Sequence, residues 1–425
     1  MIAREHLRKG WCPGALRPME SGDGLLLRIR PRLGALSLPA LATIARTAAE
    51  FGSGEIDLTN RGNLQLRGLN ADSYPQALAV LDAAGLIDAD ASIEAIRNIV
   101  VDPLSGIDPA RADVRPLAGQ LEDVLAHNRT FRALPGKFGF SFSGSAERQI
   151  GGRSADIMVS AHAPDMFAVT LDETAEIGAI VSADRVAEAM TRLAAVFLEL
   201  RVSDPAIARM REAVARSGSA MIFAAAGLES RAIVDAEYEK NPLPPVGPIV
   251  HMGRIFAFGV GLPFGRIEAS QLEAIAGLVS ETATASVHTS PQRVLVFPVE
   301  HEADADSIAQ EAKRQGLITE AGDLRMAFDV CPGAPACPNA TTDTRRDARR
   351  IAEAIQGRAP LSSLHISGCE KGCARRGIAA LTLVARNGHY DLIPNGAPDG
   401  RVTLSGIRPA EIDAAVARFI VEHAS

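Results

Sequence analysis

Ile56-Asp-Leu-Thr-Asn-Arg-Gly-Asn-Leu-Gln-Leu-Arg-Gly68 places two apolar-rich segments on either side of a turn around Gly62, a pattern that predicts strand, turn and strand. About 230 positions later the pattern recurs as Ser286-Val-His-Thr-Ser-Pro-Gln-Arg-Val-Leu-Val-Phe-Pro298. An apolar strand and a helix precede each copy, and their predicted ranges are 24–29 and 40–51, then 255–260 and 270–281. This recurrence indicates a duplicated unit.

The repeat continues downstream of these hairpins. Val101-Asp-Pro-Leu-Ser-Gly106 aligns with Val330-Cys-Pro-Gly-Ala-Pro335, and Phe138-Gly-Phe-Ser-Phe-Ser-Gly144 aligns with Leu364-His-Ile-Ser-Gly368. Both copies therefore predict the same α+β unit, and only the second carries cysteines in these segments.

The region between the copies predicts further elements. Residues 155–171 predict two short strands, and 184–201 have apolar residues at helical spacing with Asp184 as a candidate N-cap. A further helix is predicted over 205–215. Four prolines in the eight residues 241–248 exclude a helix and a central strand, so we expect an extended linker between the two halves there.

Composition limits the classes of function. The 425 residues are 47% hydrophobic and carry a net charge of −7, which fits a globular protein without the basic surface that nucleic-acid binding needs. Residues 1–14 carry four charges without an apolar core, and the longest nearly uncharged stretch, 217–228, is shorter than the ~20 residues of a membrane helix. We therefore expect a cytoplasmic protein with neither nucleic acid nor membrane as a partner.

Four of the five cysteines form two pairs, Cys331/Cys337 and Cys369/Cys373. Zinc sites favour two to four residues between paired ligands, so the C-x5-C spacing of the first pair fits zinc poorly. An iron–sulfur cluster needs four thiolates on loops, and both pairs lie in loops rich in Gly or Pro. The alternative, four structural thiols, would place them in apolar periodic segments. Nothing in the sequence distinguishes Cys12 from an unligated thiol.

The duplication and the cysteine pattern resemble the sirohaem and [4Fe-4S] sulfite/nitrite reductase superfamily. Further segments match it along the chain: Leu58-Thr-Asn-Arg-Gly-Asn-Leu-Gln-Leu-Arg-Gly68, Ile96-Arg-Asn-Ile99, Pro103-Leu-Ser-Gly106, Leu134-Pro-Gly-Lys-Phe138 and Ser367-Gly-Cys369. The resemblance implies an α+β, internally duplicated nitrite/sulfite reductase-like fold, with ferredoxin-like half-domains at 1–85 and 241–310. Two α/β domains follow at 86–240 and 311–425, the second holding a [4Fe-4S] cluster on Cys331, Cys337, Cys369 and Cys373.

Within the superfamily, Lys9-Gly-Trp-Cys-Pro-Gly-Ala-Leu-Arg-Pro-Met19, Gly22-Asp-Gly-Leu-Leu-Leu-Arg28 and the short chain resemble an oxygen-dependent branch. This resemblance implies a monooxygenase that adds one atom of O2 to C20 of precorrin-3A as a hydroxyl. The ring A acetate closes to a γ-lactone, a step of aerobic cobalamin (vitamin B12) biosynthesis. The implied cofactors are the [4Fe-4S] cluster, a mononuclear non-haem iron and NADH as an indirect electron source, with a reductase or ferredoxin as the donor protein.

The substrate implied is a tetrapyrrole fringed with carboxylates, for which Arg and Lys are suitable ligands. The first copy offers six candidates in the matching segments: Arg28, Arg30, Arg61, Arg67, Arg97 and Lys137. The alternative for each is a solvated surface charge. In the segment matching Lys137 the reductases have a second lysine two residues later, where this chain has Gly139. The missing cation weakens the oxyanion stabilisation that reduction of sulfite or nitrite requires.

Two other functions stay open from the sequence, a sirohaem-dependent nitrite or sulfite reductase and a non-catalytic iron–sulfur protein. No His/His/carboxylate set for a mononuclear iron is evident. We expect His301 to be solvated and His365 to serve packing or outer-sphere support of the cluster.

The segment Gly259-Val-Gly-Leu-Pro-Phe-Gly265 lacks the spacing of a dinucleotide-binding loop and predicts a strand-to-helix turn. A set of arginines near the cysteines is either a solvated helix face or a docking site for an acidic electron carrier: Arg345, Arg346, Arg349 and Arg350.

Overall fold

The structure is a computed structural model that describes four stretches of the chain. These are residues 12–145, 155–233 without 173 and 175, 244–357 without 281 and 283, and 361–423 without 376. The N-terminal segment up to Trp11 and residues 241–243 of the expected linker lie outside the described residues.

Both copies form the expected series of strands and helices. The first copy comprises β1 Met19–Ser21, β2 Gly24–Ile29, β3 Ala35–Ser37, α1 Leu38–Phe51, β4 Glu55–Leu58, β5 Leu64–Leu69, α2 Ser73–Ala83, α3 Ala91–Ile96, β6 Ile99–Val101, α4 Arg115–His127, β7 Phe140–Ser143, β8 Ile157–Ala163, β9 Met166–Leu171, β10 Ile177–Ser182, α5 Val186–Ser203, α6 Met210–Ser217, α7 Ser219–Ala225 and β11 Arg231–Ala232. The second comprises β12 Gly247–His251, β13 Arg254–Gly261, β14 Arg266–Glu268, α8 Ala269–Val279, β15 Ser286–Thr289, β16 Val294–Pro298, α9 Glu302–Arg314, β17 Phe328–Val330, α10 Thr344–Ala354, β18 Leu364–Ser367, β19 Ala379–Arg386, β20 His389–Gly396, β21 Leu404–Ile407 and α11 Ile412–His423.

The two ferredoxin-like halves exchange one strand each. The first sheet has the order β1-β2-β5-β4-β14, and the second has the order β12-β13-β16-β15-β3. Strand β14 of the second copy thus closes the first sheet against β4, while β3 of the first copy closes the second against β15. The exchange ties the copies together through backbone hydrogen bonds.

A tight turn before each exchanged strand makes this crossing possible. Leu33 and Phe264 occupy equivalent positions in these turns with φ of 52° and 56°, which is rare for residues other than Gly. Ser37 then accepts a hydrogen bond from the amide of Ala40, and this N-cap begins α1 directly after β3. The same strained turn in both copies supports their common origin.

One hydrophobic core fills the space between these two sheets. Leu41 and Ile44 of α1 pack with Leu272 and Ile275 of α8, and all four side chains are fully buried. Because both copies contribute to a single core, the two half-domains form one structural unit rather than two independent ones.

Each copy also has a second sheet, and the two are built alike. The first has the order β11-β10-β9-β8-β7-β6, and the second has the order β17-β18-β19-β20-β21. In each, the first three strands in chain order pair in parallel and the following ones pair antiparallel. The expected α+β, internally duplicated, nitrite/sulfite reductase-like fold is confirmed, with two ferredoxin-like half-domains and two α/β domains.

Some local predictions were wrong. Asp184 does not cap α5, because a 3-10 turn over Ala183–Arg185 precedes that helix. The helix expected at 205–215 is α6, which begins only at Met210. Pro248 of the expected linker lies in β12, an edge strand, where a missing amide donor is tolerated. The domain limits stay a prediction, although the exchanged strands β3 and β14 cross them.

None of the helices within the described residues has the length and apolar character needed to cross a bilayer.

Candidate functional site

The two cysteine loops follow adjacent parallel strands. Cys331 comes directly after β17, and Cys369 lies two residues after β18. Parallel neighbours end at the same edge of a sheet, so the fold brings the two loops together there. Burial, together with the nearby thiols of Cys331, Cys369 and Cys337, raises the pKa of Cys373 to about 11 against the opposite effect of Lys371. The four thiols are therefore close enough to interact.

The loops also supply contacts that suit bound thiolates. The amide of Gly368 donates to Sγ of Cys331 at 3.1 Å, and Thr344 Oγ1 donates to the carbonyl oxygen of Cys331 at 2.7 Å. Gly372 has φ of 61°, which lets the chain turn sharply between Cys369 and Cys373. Four thiols on two adjoining loops, with an amide directed at one sulfur, fit a cluster of four irons in which each thiolate ligates a different iron.

The first cysteine loop is held by the first ferredoxin-like sheet. The carbonyl oxygen of Ala336, the residue before Cys337, accepts from Ser21 Oγ at 2.5 Å and from the amide of Gly22 at 3.1 Å. Arg67 Nη2 donates to the same oxygen at 2.8 Å. Three donors on one carbonyl fix this loop against the cysteine-free copy.

Arg67 is therefore part of the interface between the copies. Its guanidinium group bonds Asp23 at 2.6 Å and lies 3.4 Å from Asp57, and the side chain is 1% exposed. Asp57 also pairs with Arg266 at 2.7 Å and with Arg345 at 3.0 Å. Arg67 has its own carboxylate partners, so we do not retain it among the candidate substrate ligands.

The arginine set near the cysteines is not a uniform helix face. Arg345 is buried against Asp57, and Arg350 bonds Asp413 and the carbonyl oxygens of Pro409 and Ala410. Only Arg346 and Arg349 of the four are exposed. A docking site that uses all four side chains is therefore excluded.

A second arginine group surrounds Asn98. Asn98 Oδ1 accepts from Arg30 Nη1 and, at 3.4 Å, from Arg61 Nη1. Arg61 Nη2 also donates to the carbonyl oxygen of Lys137 at 2.9 Å, which brings the 134–138 segment to the same place. Asn98 Nδ2 donates to the carbonyl oxygens of Gly136 and Phe138. Sequence reasoning did not select Asn98, although it follows Arg97 in the matching Arg-Asn dipeptide.

Arg28 completes this group from strand β2. Gln65 Oε1 accepts from Arg28 Nε at 3.0 Å and from Nη2 at 2.5 Å. Burial, together with the neighbouring Arg30 and Arg61, lowers the pKa of Arg28 to about 10. Burial and the nearby Arg209 and Arg30 likewise lower the pKa of Arg61 to about 10. Clustered cations of this kind favour an anionic ligand.

Arg30 carries an additional sign of a missing ligand. Its side chain is 4% exposed, and its Nε has no hydrogen-bond partner among the described residues. A buried donor left without a partner costs about 1–3 kcal/mol. A carboxylate from a bound ligand would offset that cost.

Arg97 lies beside this group but is already neutralised. It forms a two-pronged ion pair with Asp88 at 2.9 Å and lies 3.6 Å from Glu122, and all three side chains are largely buried. We therefore remove Arg97 from the candidate ligands and retain Arg28, Arg30, Arg61 and Lys137.

The remaining candidates fall outside this site. Residues 259–265 end β13 and turn through β14 into α8, which confirms the predicted turn, and His301 is exposed as expected. His365 is fully buried in β18. Among the described residues, no group of three His, Cys, Asp or Glu side chains could hold a single metal ion. The site for a mononuclear iron is therefore not found there.

A larger cavity of about 690 Å³ lies away from these residues, between α8, the loop 316–325 and α10. Two of its three arginines have carboxylate partners, since Arg266 pairs with Asp57 and Arg325 with Asp323, and the third, Arg349, is exposed. The cavity presents no unpaired buried donor, so we prefer the Asn98 group as the ligand site.

Known proteins resemble the chain over most of its length. Residues 17–84 match the family described as the nitrite/sulfite reductase ferredoxin-like half domain. A precorrin-3B synthase of Sinorhizobium sp is 31% identical over 93% of this chain and 84% of that protein. A ferredoxin–nitrite reductase of Synechococcus elongatus is 26% identical over 90% of this chain and 80% of that protein.

Among solved structures, the NirA protein of Mycobacterium tuberculosis covers 94% of this chain and 81% of its own, with a TM-score of 0.71 and 20% identity. That likeness establishes the fold. The relatives that match in sequence place the chain among oxidoreductases of the nitrite/sulfite reductase type. The chain belongs to the nitrite/sulfite reductase superfamily and, within it, to the family of precorrin-3B synthase.

Proposed function

We propose that this protein is an oxygen-dependent monooxygenase that converts precorrin-3A to precorrin-3B in aerobic cobalamin biosynthesis. In this reaction one atom of O2 enters C20 as a hydroxyl and the ring A acetate closes to a γ-lactone. The other oxygen atom leaves as water, formed with two protons and two electrons that come ultimately from NADH through a separate reductase or ferredoxin. The observation that carries the proposal is the buried Arg30 with its unpartnered Nε beside Arg28 and Arg61.

These side chains would bind the substrate by its carboxylates. Asn98 orients Arg30 and Arg61 from one oxygen, so both guanidinium groups are fixed before the substrate arrives. A charge-assisted hydrogen bond contributes about 1.5–3 kcal/mol, and preorganised donors lose little side-chain entropy on binding. Lys137 would add a fourth cation from the adjoining segment.

Cys331, Cys337, Cys369 and Cys373 would hold a [4Fe-4S] cluster, which supplies single electrons when bound. The chain's own contribution is to place that centre relative to the substrate. Ser21 and Gly22, just before β2 begins, and Arg67 of β5 bind the first cysteine loop, while Arg28 and Arg30 lie at the other end of β2. At about 3.3 Å per residue, β2 separates the two positions by roughly 20 Å.

The mononuclear iron implied by the resemblance has no matching set of side chains among the described residues. We therefore derive no step through it. The donor protein is proposed by analogy with the ferredoxin–nitrite reductases that the chain resembles.

A sirohaem-dependent nitrite or sulfite reductase is the alternative, and two features disfavour it. Gly139 supplies no second lysine, and its amide donates instead to the buried carboxylate of Asp156 at 2.9 Å. Arg97 is neutralised by Asp88 and Glu122. A site for a small oxyanion would retain unpaired cations at these places.

The test is an absorption spectrum with iron, acid-labile sulfide and extractable tetrapyrrole on protein purified without oxygen. The proposal expects sulfide near four per chain, iron somewhat above four and no sirohaem. Stoichiometric sirohaem with strong Soret absorption would overturn it in favour of the reductase. Cluster absorption with no turnover of precorrin-3A would instead indicate a non-catalytic iron–sulfur protein.

A further inference from the structure

His365 is a buried polar side chain without a partner. It lies on β18, the strand that leads into the second cysteine loop, between Asp329 of β17 and Thr382 of β19. The ring is 0% exposed, and neither Nδ1 nor Nε2 has a hydrogen-bond partner among the described residues. Leaving a buried donor or acceptor unpaired costs about 1–3 kcal/mol, so such a group in a folded protein calls for an explanation.

The nitrogen-bearing edge of the ring faces the second cysteine turn. A Cβ placed on Gly372, between Cys369 and Cys373, would lie 3.5 Å from Cε1 of His365. Cε1 is bonded to both ring nitrogens, so the edge that carries them is the edge directed at this turn. His365 therefore presents its polar atoms to the loop that carries two of the four thiols.

The nearby charges do not satisfy the ring. Asp329, the acidic residue beside His365, is held by Arg293 and Arg375, each at 2.9 Å. Burial, together with the nearby Arg375 and Arg293, lowers the pKa of His365 to about 4 against the opposite effect of Asp329. A neutral imidazole carries one N–H donor, and the hydroxyl of the neighbouring Thr382 is directed at the carbonyl oxygen of Gly396 at 2.7 Å and does not pair with the ring.

We propose that the N–H of His365 donates a hydrogen bond to a sulfur of the cluster centre held by the four cysteines, and that it thereby raises the reduction potential of that centre. The inference rests on the proposed function, since it requires the cluster to be present. Hydrogen bonds to the sulfurs are among the factors that set the potential of an iron–sulfur centre, because they stabilise the added negative charge of the reduced state. His365 is thus a positioning residue that acts through the cluster.

The experiment uses the full chain with iron and sulfide reconstituted without oxygen. His365→Phe keeps a ring of similar size and removes both nitrogens, whereas His365→Gln keeps an N–H donor. His288→Phe is the matched control, because His288 is also buried on a strand but bonds the carbonyl oxygen of Pro103 in the cysteine-free copy. The readouts are iron and sulfide content, the midpoint potential from an EPR-monitored reductive titration, and electron-spin-echo modulation from 15N-labelled histidine.

We expect His365→Phe to retain the cluster, to shift its midpoint potential to a more negative value and to lose the 15N modulation of the wild-type protein. His365→Gln should recover part of the shift, and His288→Phe should match the wild type. Modulation that survives in His365→Phe would overturn the inference. A wild-type spectrum without 15N-histidine modulation would also overturn it, and this outcome can be read even if His365→Phe fails to hold a cluster. Wild-type protein that binds no cluster would contradict the proposed function itself, which separates the two failures.

Discussion

Asp57→Asn tests how the two copies are held together. Asp57 is buried at 3% exposure, and its carboxylate lies 2.7 Å from Arg266, 3.0 Å from Arg345 and 3.4 Å from Arg67. Arg266 lies in the exchanged strand β14 and Arg345 in helix α10. Arg67 lies in β5 and bonds the first cysteine loop. Asn keeps the shape of the side chain, removes its charge and replaces one acceptor oxygen with an NH2 donor.

The expected cost follows from the burial of all four groups. Removing one partner of a buried ion pair destabilises a protein by about 3–5 kcal/mol, because the remaining charge is left buried without compensation. The arginines hold the pKa of Asp57 well below its ordinary value, although burial alone would raise this pKa. The contribution of Asp57 is therefore complete at neutral pH and is lost as the pH falls below about 4 toward the depressed folded value.

The measurement is urea unfolding followed by far-ultraviolet circular dichroism at pH 7 and at pH 3. Each resolved transition is compared separately because the chain has several units. Glu188→Gln is the control, since Glu188 makes exposed pairs with Arg185 and Arg192 that are worth at most about 1 kcal/mol. We expect a loss of about 3–5 kcal/mol for Asp57→Asn at pH 7 and a smaller difference from wild type at pH 3, between the unfolded and the depressed folded pKa of Asp57. A loss no larger than that of the control would refute the reasoning.

Three further outcomes are expected. Cys369→Ser should abolish assembly of the cluster, measured as iron and acid-labile sulfide after reconstitution. Full incorporation of iron and sulfide in this variant would show that the Cys369 thiol is not a ligand. Arg61→Ala should weaken binding of a polycarboxylate tetrapyrrole by roughly 10- to 150-fold, because about 1.5–3 kcal/mol is lost, and should leave the iron content unchanged. Arg185→Ala, at an exposed arginine, is the control. Equal tetrapyrrole affinities of the two variants would count against the site. Gly372→Ala should lower thermal stability and iron retention more than Gly357→Ala does. Both glycines have positive φ, but only a Cβ at Gly372 would approach Pro398 Cγ to 2.4 Å. Equal effects of the two substitutions would show that the Pro398 contact is irrelevant.

The sequence predicted the duplicated architecture well, because each hairpin and helix is a local pattern. The hairpins around Gly62 and around Pro291 and the strands that precede them lie where the pattern placed them. The exchange of β3 and β14 was not foreseen, since three-residue strands between a turn and a helix have no periodicity to recognise. Helix ends such as that of α6 were misplaced for a similar reason, because capping depends on tertiary context.

The site was predicted only in part, because sequence reveals the type of a side chain but not its partner. Arg67 and Arg97 lie in the same kind of sequence segment as Arg30 and Arg61, yet Asp23 pairs with Arg67 and Asp88 pairs with Arg97. Asn98 was missed because an amide that orients two arginines carries no charge pattern of its own. The residues retained as ligands stay a prediction until binding is measured.

The most direct test of the proposed function is isotope incorporation. Protein purified without oxygen would be supplied with precorrin-3A, NADH, an electron-transfer partner and 18O2, and the product analysed by mass spectrometry. The account predicts a hydroxy-lactone that carries one atom of 18O from the gas, with no product when O2 is withheld. Product formed without label, or an unchanged macrocycle alongside reduction of nitrite or sulfite, would contradict it.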